Sequence, residues 1–166
     1  MQTNTKKPNL YLFTDGSANP QKKFGFGAYL LLNEDELHSI TLSKEDVFTK
    51  KFEDTSSSKL ELEALLWALN KISVKERKVI IFTDCQNIIG LYDRRKKFEK
   101  NNYMTSKKTL IKNYELYKEF YRLTDNIECD FVKVKGHKKD KDKNMIDKIF
   151  TLVDKAARDA LREEVL

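Results

Sequence analysis

The sequence predicts a mixed α/β fold: a five-stranded sheet that opens as an antiparallel meander and is flanked by helices, in one domain. Three observations carry that reading. Two apolar runs share one grammar, Asn9–Leu10–Tyr11–Leu12–Phe13–Thr14–Asp15–Gly16–Ser17 and Lys78–Val79–Ile80–Ile81–Phe82–Thr83–Asp84–Cys85–Gln86. Each reads as a buried strand ending abruptly in Thr-Asp. A glycine-punctuated apolar run follows the first so closely that the two should pair as neighbours. Three helical periodicities then alternate with strand patterns, which indicates a mixed sheet. A length of 166 residues suits one domain, residues 1–166, with a sizeable core.

In order, residues 1–8 are polar and expected to be a flexible N-terminus. Asn19–Pro20 opens a turn after the first strand. Phe24–Leu32 is the second strand, its glycines marking a bulge or a close backbone approach. Asn33–Glu34–Asp35 reads as a turn, and Glu36–Leu42 as a third strand with Ile40 and Leu42 on one face. Ser43–Asp54 is charged; Val47 and Phe48 anchor it as a further strand edge. The hydroxyls of Thr55–Ser58 offer N-caps for an apolar helix through Leu60, Leu62, Leu65, Leu69 and Ile72, with Ser58 and Glu61 matching a capping box. Val79–Phe82 is the next strand and Gln86–Tyr92 a short helix. Leu110, Tyr114, Tyr117 and Tyr121 mark an amphipathic helix. Ile127–Val134 alternates as the last strand, Lys138–Lys143 is a solvated loop, and Ile146–Leu161 defines the final helix.

Basic residues exceed acidic ones, 32 against 26, a formal charge of +6. The segment from Arg94 to Lys112 holds eight of the basic residues against Glu99 alone, enough to account for the whole excess. An anionic partner is therefore plausible. Cys85 and Cys129 are too few for a disulfide framework or a zinc cage and read as reduced thiols near the core. No apolar leader and no run of membrane-spanning length appears. The expectation is a cytoplasmic protein that makes no membrane contact and acts as a monomer.

Two strands that both end in Thr-Asp can bring Asp15 and Asp84 together if the strands are neighbours, and rigidly held paired carboxylates are what a divalent-metal site needs. Glu61 lies early on a buried helix, and His137 follows the last strand. The motifs around these residues resemble the ribonuclease H family, type 1. The opening is Thr14–Asp15–Gly16–Ser17 with Asn19–Pro20 and Gly25–Phe26–Gly27–Ala28. Lys59–Leu60–Glu61–Leu62 and Thr83–Asp84–Cys85–Gln86 follow, the latter with Cys where the family has Ser. Val134–Lys135–Gly136–His137 closes the series. The four motifs stand in the family's order across nearly the whole chain.

The resemblance implies a ribonuclease H-like fold and an endonuclease that cuts the RNA strand of RNA–DNA hybrids. It implies two Mg2+ ions, with Mn2+ an alternative, held by Asp15, Glu61, Asp84 and a late aspartate, and His137 assisting proton transfer or product release. Two metals about 3.5–4 Å apart suit an in-line displacement at phosphorus, and magnesium favours carboxylates, waters and phosphate. For the late aspartate, spacing from His137 favours Asp147 and the local pattern Asp154–Lys155–Ala156–Ala157–Arg158 favours Asp154. The two are seven residues apart on one helix face. Asp154 is taken as the ligand and Asp147 as the alternative. By the same resemblance Asn19, Ser57, Ser58 and Gln86 face the minor groove, where a hybrid is told by its 2′-hydroxyls and its deoxy strand. Arg94, Arg95, Lys96, Lys97, Lys107 and Lys108, with Phe98 and Tyr103 interleaved, occupy the place of the family's basic protrusion. There they would add salt-sensitive phosphate contacts in place of a separate hybrid-binding domain.

Each residue alone has a blander reading. Asp15–Gly16 and Asn19 can simply form turns, Asp84 and Glu61 can cap helices, and the basic run can be a solvated face. All of these at once, at these spacings, is not a credible coincidence. Two rival functions remain: a catalytically inactive nucleic-acid-binding module of the same fold, and a different nuclease on that fold. Metal-dependent cleavage separates the first, and restriction to hybrids the second.

Overall fold

The computed structural model describes residues 7–39, 41–72, 77–136 and 138–166. Among them a five-stranded sheet runs in the order β3-β2-β1-β4-β5. β1 (Leu10–Asn19) and β2 (Phe24–Leu32) form the antiparallel start, and β3 (Phe48–Glu53) extends it on the far side of β2. β4 (Lys78–Thr83) and β5 (Glu128–Lys133) add in parallel on the other side of β1. The short helix α1 (Glu34–Leu37) follows β2, and α2 (Ser57–Lys71) follows β3. Three helices, α3 (Gln86–Ile89), α4 (Leu91–Lys100) and α5 (Tyr114–Asp125), lie between β4 and β5. The long α6 (Met145–Val165) closes the chain.

Strand alternation explains why the sheet is buried on both faces. Leu10, Leu12, Val79 and Ile81 point to one side, into a cluster with Leu62, Leu65 and Leu69 of α2 and Tyr117 and Phe120 of α5. Phe13 and Phe82 point to the other, against Ile149, Phe150 and Val153 of α6. β1 and β4 are paired in step, Phe13 opposite Phe82, and the two rings stack with centroids 4.6 Å apart. The expected meander, buried first helix, amphipathic middle helix and long last helix are all present.

The third strand differs. Glu36–Leu42 is not extended, because Asn33 and Glu36 close a capping box that starts α1. Leu37 is buried there, and the strand pairing falls to Phe48–Glu53 instead. Ile40 lies outside the described residues, as does most of the expected flexible N-terminus. The first long helix is capped by Ser56, which accepts from the Lys59 amide, and not by Ser58. Helical structure also enters the basic segment further than Gln86–Tyr92, since α4 runs to Lys100. Leu110 precedes α5 as an exposed residue bridged to Met104. Among the described residues no helix is long and apolar enough to cross a membrane.

Close helix–sheet approach depends on two glycines that face each other across β1 and β2, Gly16 and Gly27. A Cβ on Gly27 would lie 2.8 Å from Ala64 Cβ, and one on Gly16 would lie 2.9 Å from Leu60 Cγ. Both contacts are with α2, so the helix rides directly on bare backbone. Gly27→Ala is therefore expected to destabilise the protein by about 1–3 kcal/mol, the usual cost of overpacking. Denaturant midpoints check this, and pairing it with Ala64→Gly should show a favourable coupling energy. Additive effects of the two changes would show that α2 is not seated by this contact.

Candidate active site

β1 carries Asp15 to the centre of the sheet, where it is 3% exposed. The in-step pairing of Phe13 with Phe82 means that the neighbouring strand reaches Asp84 at the same level. Beyond it Thr83, itself fully buried, accepts a 3.1 Å hydrogen bond from the Cys85 amide. This turns the chain out of the sheet into α3 and leaves Asp84 at the strand end. Glu61 arrives from above on α2. Because α2 rides on Gly16, a Cβ at that glycine would sit 3.8 Å from the Glu61 carboxyl carbon. With Ser56 as the cap, Glu61 lies past the first helical turn. The capping role that its sequence context suggests is therefore not the one it plays.

Oxygens of Asp15, Glu61 and Asp84 all lie within 4.8 Å of one another. At an effective dielectric of about 20, two charges at that separation repel by about 3 kcal/mol. The surroundings respond accordingly. Burial, then the charges of Glu61 and Asp84, push the Asp15 carboxyl far above the usual carboxylate range, against a favourable hydrogen bond from the Gly16 amide. Burial and then the charge of Asp84 raise Glu61 as well. Glu61 Oε2 is shut off from solvent and has no hydrogen-bond partner among the described residues. A buried carboxylate oxygen without a donor is costly, and a cation is the species that would satisfy it. The oxygen-only donor set fits a hard divalent ion.

α6 crosses the same region. A cleft of about 320 Å³ is lined by Asp84, Gly136, Lys138, Asp147, Asp154 and Arg158, among others. Within it the two candidate late aspartates are in different situations. Asp147 closes the helix-starting box with Asn144, accepting from its amide at 3.1 Å, and pairs with Lys138 at 3.0 Å. Its burial is outweighed by these partners, so its carboxyl is held below the ordinary value. Asp154 pairs with Arg158 at 2.9 Å, one turn on, and its charge reaches Asp15. His137 lies outside the described residues. The preceding Gly136 passes over Asp84, where a Cβ would stand 3.5 Å from Oδ2.

The residues expected to meet substrate divide into two groups. Ser57 and Ser58 are exposed in the first turn of α2, and Lys96, Lys97, Lys107 and Lys108 are exposed along and beyond α4. Asn19 Oδ1 accepts from the amides of Gln21 and Lys22, both at 3.1 Å, so its side chain shapes the turn after β1. Gln86 is exposed and receives a hydrogen bond from Lys133 at 2.6 Å. Arg94 instead turns inward to the carbonyls of Gly90 and Asn87. Arg95 makes a two-pronged pair with Asp125 and a further bond to Glu99. Phe98 and Tyr103 stack on each other 5.7 Å apart, with Tyr117 beyond Phe98, so both rings take part in packing the end of α4 against α5. Lys133 is the contact that sequence reasoning missed. Its only signal was a cation where the last strand runs into Val134–Lys135–Gly136–His137.

Comparison with known proteins agrees with this geometry. The Ribonuclease H of Acetivibrio thermocellus is 32% identical over 150 residues, 88% of this chain and 93% of the relative. That of Thermoanaerobacter sp. (strain X514) is 27% identical over 142 residues, 84% and 86% of the two chains. A solved structure of the foamy viral protease-reverse transcriptase in complex with dsDNA shares the fold, with a TM-score of 0.63 at 18% identity over 94% of this chain and 98% of that one. Fold, acidic cluster and relatives together define a nuclease. The family model for RNase H matches residues 7–161, and the chain belongs to the RNase H family, as an enzyme of that type.

The raised carboxyls have a direct consequence for the metal-free protein. A group whose folded value lies above its unfolded one, about 4 for a carboxylate, stabilises fully below that unfolded value. The contribution is lost as pH rises through the folded value. Asp15→Asn removes the charge while keeping the shape. Without divalent ions its melting temperature should exceed that of the parent at pH 8, with the gap closing towards pH 5. A variant that melts no higher at pH 8 would show that the cluster is not held against repulsion.

Proposed function

We propose that the protein hydrolyses the RNA strand of RNA–DNA hybrids internally, leaving 3′-hydroxyl and 5′-phosphate ends. The observation that carries this is the meeting of three carboxylates from β1, α2 and β4, one with an orphaned buried oxygen. Asp15, Glu61, Asp84 and Asp154 are the residues we assign to hold two Mg2+ or Mn2+ ions. Such ions would supply an activated water and charge stabilisation for the leaving oxygen. Asp154 is preferred because its charge already acts on Asp15, whereas Asp147 is occupied by its cap and by Lys138. Asp15, the most buried of the three and on the central strand of the sheet, positions the cluster. Ser57, Ser58, Asn19 and Gln86 present short polar groups to the minor groove beside it. His137 is assigned a proton-transfer or product-release role by family resemblance alone. Both cysteines are free, which suits a reducing compartment, and we place the protein in the cytoplasm as a monomer.

The test is cleavage of one labelled RNA, presented single-stranded, in an RNA duplex and in an RNA–DNA hybrid, with Mg2+ and with EDTA. Cutting of the hybrid alone, and only with Mg2+, is the expected result; binding without cutting would favour the inactive module. Asp84→Asn and Asp154→Asn should each lower kcat by at least about 100-fold, the scale of losing a group that acts only in the transition state. Asp147→Asn should retain most activity and instead lose about 1 kcal/mol of stability through its cap. The reverse pattern would reassign the late ligand to Asp147.

The exposed lysines make a separate prediction. Replacing Lys96, Lys97, Lys107 and Lys108 together should raise KM and flatten its dependence on salt while kcat holds, since phosphate contacts act by counterion release. Arg95→Gln should behave differently, lowering stability before it touches KM. An unchanged KM in the four-lysine variant would make the arm a solvated face.

A further inference from the structure

Gln86 opens α3 two residues after Asp84, and its side chain is exposed. Lys133, the last residue of β5, stands opposite Thr83 in the parallel pairing of β4 and β5. From there its Nζ reaches Gln86 Oε1 at 2.6 Å. An amide side chain has an accepting end and a donating end of nearly equal shape, and coordinates alone rarely tell them apart. Here the partner decides. A lysine ammonium has three donors and no acceptor, so only the oxygen can face it. The Gln86 nitrogen, with two donors and no acceptor to meet among the described residues, is left pointing away from Lys133.

We infer that Lys133 is a specificity-setting positioning residue: it locks the Gln86 amide as a hydrogen-bond donor, so that the enzyme reads an acceptor shared by all bases. In the minor groove every base offers an acceptor, N3 of purines or O2 of pyrimidines, while only guanine adds a donor, its N2 amino group. An amide held donor-outward therefore meets a partner at any base pair and tolerates any sequence. An amide free to turn over would instead accept from guanine N2 and favour guanine at that position. The charge on Lys133 also strengthens its grip, since bonds from an ionised donor are stronger than neutral ones. This inference rests on the reading of Gln86 as a minor-groove contact.

The experiment uses the full chain with Mg2+ and single-turnover cleavage of a labelled hybrid. Guanine is replaced, one position at a time around the cut, by inosine, which lacks the N2 amino group, or by 3-deazaguanine, which lacks the N3 acceptor. The parent protein should cut guanine and inosine substrates equally and lose about 3- to 10-fold at one position with 3-deazaguanine, the scale of one hydrogen bond. Lys133→Met should become sensitive to inosine at that same position by a similar factor. Lys133→Arg, another donor-only cation, should keep the parent profile. Gln86→Ala should lose the sensitivity to 3-deazaguanine and gain none to inosine. A Lys133→Met protein with the parent's base profile, whether or not KM rises and its salt dependence flattens, would overturn the inference and leave Lys133 a phosphate contact. Analogue sensitivity that survives in Gln86→Ala would overturn it too. A parent protein that cuts no hybrid at all would instead remove the proposed function, a result readable before any variant is made.

Discussion

The structure turns on the in-step parallel pairing of β1 with β4. Stacked Phe13 and Phe82 fix the register two residues before each strand presents its aspartate. A slip of one residue would turn one of the two carboxylates to the opposite face, since side chains alternate with a period of two. The apolar packing beneath therefore does chemical work above: it holds together charges that would separate if they were free to move. Rigid strands suit this, because a loop would relax the repulsion by bending away. The third carboxylate is brought in by close contact and not by pairing. α2 approaches over two bare glycines, and the same closeness that packs Leu60 against Gly16 carries Glu61 to Asp15.

Around this acidic centre the positive charge is arranged in two ways. Some cations are structural: Arg95 joins α4 to α5, Lys138 steadies the start of α6, and Arg158 pairs with Asp154. Others stay exposed, as do Lys96, Lys97, Lys107 and Lys108. A polyanion approaching the protein is drawn by the second group, while the first has already spent its charge on holding the scaffold.

Much of this was legible in the sequence. Long apolar strands and strongly periodic helices announce themselves, and two identical Thr-Asp strand endings implied a carboxylate pair on the condition, met in the β1–β4 pairing, that the strands are neighbours. What stayed hidden was decided by contacts the linear pattern does not carry. Asn33–Glu34–Asp35 looked like a turn and Glu36 the start of a strand, because a capping box and a turn use the same residue types. Ser58 and Glu61 matched a capping box that the chain does not form, since Ser56 starts the helix first. The aromatics interleaved in the basic segment gave no sign in the sequence that they pack α4 against α5. The late aspartates share a helix face, so only their three-dimensional neighbours tell them apart. Lys133 touches Gln86 across 47 positions of sequence, a distance at which no local pattern gives warning.

The joint between α4 and α5 has a consequence for how tightly the lysine arm can hold a ligand. Arg95 grips Asp125 with both ends of its guanidinium and lies over the Tyr121 ring, whose hydroxyl in turn bonds to the Leu91 carbonyl at 2.6 Å. An arm fastened in this way is already ordered before anything binds. A floppy basic tail would surrender conformational freedom each time it settled on a phosphate backbone, and that loss would subtract from its affinity. Here the ordering is complete when the chain folds, so each lysine on the helix acts with its full electrostatic effect at a fixed spacing.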